Sequence, residues 1–272
     1  MRRLTGAPPQ RAIRRAAPPL AAAEPDLIDL TVVIPAHNEQ DRIGPTLAAI
    51  CAYLSDRELA WEVIVVDDGS RDSTGLIVEA IAAAEPRIRL VRSPRNRGKG
   101  HAVRVGILES RGRDVLMSDA DLSTPIGELD RLRAGRGSAV AAVGSRSDLS
   151  KITVRQHPLR EALGGLGHRI ITATAVRGIR DTQCGFKLFD GPAARHVFAD
   201  ARIDGWAFDV EILHLFQRYG WAVAEVPVSW AHATGSKLRP TAYLRVLLEI
   251  VQLRLAHRRT GRRPVPGRPV DA

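Results

Sequence analysis

Two carboxylates one residue apart, Asp119 and Asp121, close a short apolar run (Val115, Leu116, Met117) that reads as a buried strand. Hard oxygen ligands on a stiff strand end suit Mg²⁺ or Mn²⁺ and leave coordination positions for substrate phosphates. The same residues also suit a polar turn, with Asp121 capping a helix opened by Pro125, and an Asp-x-Asp by itself does not separate the two readings. Acidic groups recur after two further apolar runs: Glu39 in P-A-H-N-E (35–39), and Asp67 with Asp68 in D-D-G-S (67–70). Helix capping accounts for Ser70, Asp72 or Asp41 singly, not for every cluster. Carboxylates gathered at adjoining strand ends repel one another unless a cation sits among them. A Gly-rich turn, N-R-G-K-G (96–100), precedes a helical stretch; its amides suit a phosphate, or it is a mobile surface turn.

The elements that must position these groups alternate. Apolar runs at 30–34, 62–66, 88–91, 115–117 and 139–143 read as strands, and helical periodicity covers 41–54, 72–84 and 100–109. Such alternation implies an α/β fold with a mostly parallel sheet flanked by helices on both faces. Ligands of such sheets sit at the carboxyl ends of the strands, where the acidic clusters fall.

Composition narrows the classes. The 272 residues, 44% of them hydrophobic, suffice for a large single core. Two cysteines, Cys51 and Cys184, are no disulfide framework, so a reducing compartment is expected. The Arg- and Pro-rich start lacks the apolar core of a secretory signal, and no uncharged run approaches the roughly 20 residues of a membrane span. The net charge of +10 calls for an anionic partner, but aromatics at 4% provide poorly for base stacking, and the acidic clusters would repel a phosphate backbone, so nucleic acid is not expected.

I-P-A-H-N-E, V-V-D-D-G-S, N-R-G-K-G and D-A-D-L-S-T-P, in this order, resemble the inverting glycosyltransferases of family 2, which have the GT-A fold, a Rossmann-like nucleotide-sugar-binding architecture. D-T-Q-C-G-F-K-L-F (181–189), W-A-F-D-V-E (206–211), E-V-P-V-S-W (225–230) and G-S-K-L (235–238) narrow the resemblance to dolichyl-phosphate β-glucosyltransferases and bacterial polyprenyl-phosphate relatives. The resemblance implies transfer of a sugar, glucose from UDP-glucose, to a polyprenyl phosphate with inversion. GDP-mannose or UDP-N-acetylglucosamine as donor, or a non-lipid acceptor, are the alternatives. It further implies that Pro35, Ala36, Glu39, Asp67, Asp68, Lys99, Asp119, Ala120 and Gln183 bind the nucleotide sugar and that Asp119 and Asp121 hold the metal. Asp121, Asp209, Arg146 and Lys237 then serve catalysis. Arg146, Arg155, Arg160 and Lys237 take the acceptor phosphate, although the Ser that commonly follows the family's acceptor Arg by four residues is Leu159 or Gly164 here. The mannosyl branch carries Gln two positions after the second metal Asp, where this chain has Ser123, which points to a glucosyl donor.

Other residues keep two readings. Asp209 and Glu211 open an apolar helix and either contact sugar hydroxyls, act as a base, or only suit the helix dipole. Trp206 and Trp230 either stack on sugar or pack, and Cys184 reads as a small buried residue. Residues 1–27 read as a disordered basic arm, 28–239 as the GT-A domain, 240–257 as an amphipathic helix and 258–272 as a basic tail. Apolar residues at helical spacing in 161–176 and 241–256, the latter followed by Arg258, Arg259, Arg262 and Arg263, suit an anionic membrane surface without spanning it. A peripheral protein on the cytoplasmic face of a membrane is therefore expected.

Overall fold

A computed structural model describes residues 28–146 and 176–231, together with Glu249, Leu253, His257 and Gly261. The expectations for the 1–27 arm, most of the 161–176 and 240–257 segments, the basic tail, and Arg155, Arg160 and Lys237 lie outside the described residues.

The described chain runs β1 (Leu30–Ala36), α1 (Ile43–Ser55), β2 (Trp61–Asp67), α2 (Thr74–Ala84), β3 (Ile88–Arg92), α3 (Lys99–Glu109), β4 (Asp114–Ser118), α4 (Glu128–Arg136), β5 (Ala141–Ser145), β6 (Phe186–Asp190), α5 (Gly191–Asp200), α6 (Phe208–Tyr219) and β7 (Val223–Pro227). The sheet order is β3-β2-β1-β4-β6-β5-β7. Strands β3, β2, β1 and β4 are parallel, so the acidic carboxyl ends of β1, β2 and β4 share one edge. β6 is the exception: it enters antiparallel between β4 and β5.

Strand periodicity divides the core. Val33, Val115, Met117 and Phe189 face the cluster built with α3, α5 and α6, whereas Val32, Ile34, Leu116, Phe186 and Leu188 face the cluster built with α1, α2 and α4. Both faces are thus covered, which is why β1 and β2 read as continuous apolar runs. Each fully buried Val, Leu, Ile or Phe contributes about 1.5–3 kcal/mol. Phe189 stacks on Phe216 with ring centroids 5.7 Å apart, tying β6 to α6.

Two element boundaries differ from the periodicity. α1 starts at Ile43 with no side-chain cap, so Asp41 does not cap it, while Asp72 Oδ1 does accept the Thr74 N–H. α4 begins at Glu128 rather than at Pro125; Asp121 instead accepts the Ser123 N–H and closes its own turn.

Candidate active site

The turn after β4 is held from three sides. The Asp119 N–H donates to the Gly185 carbonyl just before β6 (3.1 Å), the Thr46 hydroxyl of α1 donates to the Ala120 carbonyl (2.7 Å), and the Ala231 N–H after β7 donates to the Ser123 carbonyl (2.8 Å). Leu122 takes φ +45°, and Asn38 in the turn after β1 takes +55°; they are the two non-glycine residues with positive φ among the described residues. Strain of this kind costs about 1–3 kcal/mol per residue and persists where surrounding contacts over-determine the backbone. Both instances lie in the strand-end motifs.

Asp119 places Oδ1 2.6 Å from the Lys99 Nζ at the start of α3, and its carboxylate lies against Gly185, where an added Cβ would come within 1.8 Å of Oδ2. Asp121 directs Oδ2 toward Arg42, 3.9 Å away, and Arg42 also meets Glu39 at 2.5 Å. Asp119 and Asp121 are partly exposed, with 34% and 26% of their side chains accessible. Two neighbouring carboxylates, each keeping an oxygen outside its shortest contact, fit a hard divalent cation. Among the described residues no group of three His, Cys, Asp or Glu could hold a metal, so these two carboxylates are the candidate pair there.

Lys99 is the cation of this edge. Burial works to lower its pKa, but the Asp119, Asp209 and Asp121 carboxylates outweigh it and raise the value, so the ammonium stays charged. Behind it, Asp209 at the start of α6 is paired with Lys187 of β6 at 2.5 Å, and Lys187 also donates to the Cys184 carbonyl at 2.6 Å. Burial raises the Asp209 pKa against the pull of Lys187 and Lys99. At 3% exposure Asp209 is enclosed, and its charge acts on Lys99 from beneath. Glu211 is likewise fully buried, accepting the Arg202 and Ile203 N–H groups and meeting His257 at 2.8 Å. A Lys inside the apolar F-K-L-F run was a signal of a buried partner that sequence reasoning passed over.

A cavity of about 630 Å³ opens at the ends of β1, β2 and β3, lined by His37, Asn38, Asp67, Ser70, Arg92 and Asn96 among others. Asp67 Oδ1 accepts the Ser70 N–H at 2.9 Å, and Asn38 bridges to Ser70 and Arg71. Pro35 and Ala36 are buried in β1 beneath this cavity's mouth, and the Ala36 carbonyl accepts the Asp68 N–H. The Gly-rich turn behaves differently from expectation. The Arg97 and Gly98 amides, read as a phosphate cradle, both donate to the buried Asp68 carboxylate (3.0 and 2.7 Å). Asp68 therefore fixes the turn that delivers Lys99.

On the β5 side, Arg146 forms a two-pronged pair with Asp181 (2.6 and 2.8 Å), and its guanidinium lies 5.6 Å from the Trp230 ring centroid. Burial pushes the Asp181 pKa up, but Arg146 outweighs it and holds the carboxyl below its usual range. Arg146 thus carries its own counter-charge, which sequence spacing did not reveal. Gln183 is exposed two residues before Gly185, beside the Asp119 turn. Cys184 is fully buried, and burial pushes its thiol pKa up, as suits a packing residue. Trp206 is 39% exposed with its ring centroid 5.6 Å from the Lys99 ammonium, so neither Trp206 nor Trp230 is simple core packing.

Residues 31–194 match the model of the family described as glycosyl transferase family 2. A dolichyl-phosphate β-glucosyltransferase of Trichomonas vaginalis is 42% identical over 246 residues, covering 86% of this chain and 73% of that protein. The human dolichyl-phosphate β-glucosyltransferase is 36% identical over 244 residues, covering 84% and 75%. Among solved structures, glucosyl-3-phosphoglycerate synthase of Mycobacterium tuberculosis, in complex with Mn²⁺, UDP and phosphoglyceric acid, superposes with a TM-score of 0.61 at 20% identity, covering 87% of this chain and 80% of that one. The sheet, its acidic edge and its flanking helices are those of a GT-A glycosyltransferase, and the chain belongs to glycosyl transferase family 2.

Proposed function

We propose that this glycosyltransferase moves glucose from UDP-glucose to a dolichyl-type polyprenyl phosphate with inversion, giving a β-linked lipid-phosphate sugar. The observation that carries the reading is the convergence of Asp119, Asp121 and Lys99 on one strand edge, with a nucleotide-sized cavity at the ends of β1–β3, in a chain similar over most of its length to dolichyl-phosphate β-glucosyltransferases.

Asp119 and Asp121 would hold Mg²⁺ or Mn²⁺, which when bound neutralises charge on the departing diphosphate. The protein's own part is to place groups. The cavity at β1–β3 takes the nucleoside, with Asp67 and the Asn38 turn shaping its wall. Lys99, kept charged by three carboxylates, adds a fixed positive charge where the leaving group gathers negative charge. An acceptor phosphate oxygen forms the new bond to the anomeric carbon as the bond from that carbon to UDP breaks. With a second pKa of about 6, the phosphate is already ionised at neutral pH and needs orientation more than a base. Its cations are assigned to Arg146, Arg155, Arg160 and Lys237, with Asp181 orienting the Arg146 guanidinium.

No helix among the described residues is long and apolar enough to cross a membrane. We assign membrane contact to the amphipathic 241–256 stretch and the arginines that follow, in the order of arm, GT-A domain, helix and tail given by the sequence.

The test is purified protein with a short-chain prenyl phosphate and a panel of UDP-glucose, GDP-mannose and UDP-N-acetylglucosamine, with and without Mg²⁺ or Mn²⁺. The expected outcome is metal-dependent glucose transfer that Asp121→Ala abolishes without lowering the melting temperature. Full activity in Asp121→Ala, or preference for another donor, overturns the proposal.

A further inference from the structure

The loop 201–207, between α5 and α6, carries the exposed Trp206 and is anchored at both ends by buried carboxylates. Glu211 accepts the Arg202 and Ile203 N–H groups, and His257 meets the same carboxylate at 2.8 Å. At the other end, the Ala207 N–H donates to Glu249 Oε2 at 3.1 Å, and the Glu249 carboxylate fills the space over Gly205, where an added Cβ would come within 2.1 Å of Oε1. Glu249 is 8% exposed, and one helical turn further on Leu253 is buried in the main core cluster. Glu249 thus holds this loop directly, and His257 meets the carboxylate that holds its start.

The loop's upper side meets the Gly-rich turn. Asp204 pairs with Arg97 and Arg104 (2.8 and 2.7 Å), and its carbonyl accepts the His101 N–H. Gly98 and Gly100 leave room for the Asp204 and Ile203 carbonyls, which an added Cβ would approach to 2.4 and 2.5 Å. Between these two glycines stands Lys99, with Trp206 above it and Asp119 beyond. Contacts therefore run without a break from Glu249 through the loop to Lys99.

We propose that Glu249 is a positioning residue for the transfer reaction: by holding the Ala207 amide it fixes Trp206 over Lys99, so that this carboxylate sets the geometry of the donor-phosphate end of the site. A buried carboxylate accepting a backbone amide is a strong and directional tether. Loss of the tether frees the loop to move by an ångström or more, enough to disturb an aligned reaction. The catalytic consequence rests on the transfer function proposed above; the tether itself does not.

The experiment uses the full chain and the variants Glu249→Ala, Glu249→Gln, Trp206→Ala and the double variant Glu249→Ala/Trp206→Ala. Hydrogen exchange of peptides spanning 202–210 and 97–104 is read together with melting temperature, UDP affinity, and kcat and KM for UDP-glucose with a short-chain prenyl phosphate. In Glu249→Ala, exchange in both segments should quicken and kcat should fall about tenfold or more. UDP affinity should fall no more than kcat does, because its nucleoside is assigned to the cavity at β1–β3 and only its phosphates to the Lys99 end. Glu249→Gln, which keeps a carbonyl acceptor for the Ala207 N–H, should recover most of the rate. The double variant should be no slower than the worse single one, the mark of residues acting as a unit. Quickened exchange with kcat within about threefold of the parent would reduce Glu249 to a structural role and overturn the proposal, as would unchanged exchange. If Glu249→Ala does not fold, Gly205→Ala displaces the carboxylate while keeping it, with the same outcomes required. Should the parent protein transfer no glucose, the proposed function fails; exchange at 97–104 then decides the tether, and its insensitivity to Glu249 refutes it.

Discussion

Gly185→Ala tests whether the Asp119 carboxylate is held in a working position. The new Cβ would stand 1.8 Å from Oδ2 and 2.3 Å from Cγ, and real Cβ contacts essentially never fall below 3.0 Å. The carboxylate must therefore retreat by about 1.2 Å or more, and a displacement of about 1 Å in an aligned site can cost about 100-fold. That is about 2.7 kcal/mol of lost transition-state stabilisation. Gly185 is not among the glycines with positive φ, so alanine meets no backbone strain there. The atoms that yield belong to a movable side chain whose pair with Lys99 is partly exposed, so stability should fall by about 1 kcal/mol or less. The expected result is a near-native melting curve with kcat/KM for UDP-glucose down about 100-fold and a weaker response to Mn²⁺. Transfer within about threefold of the parent, with an unchanged metal requirement, would show that the position of Asp119 does not matter and refute the reasoning.

Gly69 takes φ +67°, and a Cβ there would lie 2.5 Å from the Arg95 carbonyl carbon, a backbone atom that cannot step aside. Gly69→Ala should lose about 1–3 kcal/mol in denaturant titration and weaken UDP binding in calorimetry, since this turn walls the cavity; unchanged affinity would argue against the nucleoside assignment. Glu62 supplies a pH test at the opposite edge of the sheet. Burial pushes its pKa up, but hydrogen bonds from Arg111 and Thr31 outweigh this and hold it below the ordinary 4.5. The carboxylate therefore stabilises the fold above pH 4.5, and that contribution is lost as pH falls through its depressed value. Glu62→Gln should be less stable than the parent at neutral pH, with the gap closing in urea titrations below pH 4.5; a gap independent of pH would contradict the linkage.

Much of the scaffold was legible because its signals are local. Strands buried on both faces read as unbroken apolar runs, and in β1, β2 and β4 each run ended in the polar or acidic residues that now crowd one edge. The helices α1, α2 and α3 followed from periodicity to within a few residues. What was not legible was the partner of each charge. Asp68 is paired with the Arg97 and Gly98 amides. Asp209 is paired with Lys187, and Glu211 with the 202–203 amides and His257.

The sequence by itself determined the alternation of elements, the acidic strand ends and the family, since hydrophobic period and motif order are properties of neighbouring residues. Tertiary structure alone decided that β6 runs antiparallel beside β4 and so presses Gly185 against Asp119, that Lys99 is the cation facing that carboxylate, and that Glu249 braces the Trp206 loop from the far end of the chain. The physical reason is that a buried charge must find a counter-charge or a backbone dipole within about 3 Å. Which one it finds depends on how distant segments pack, and no local pattern records that.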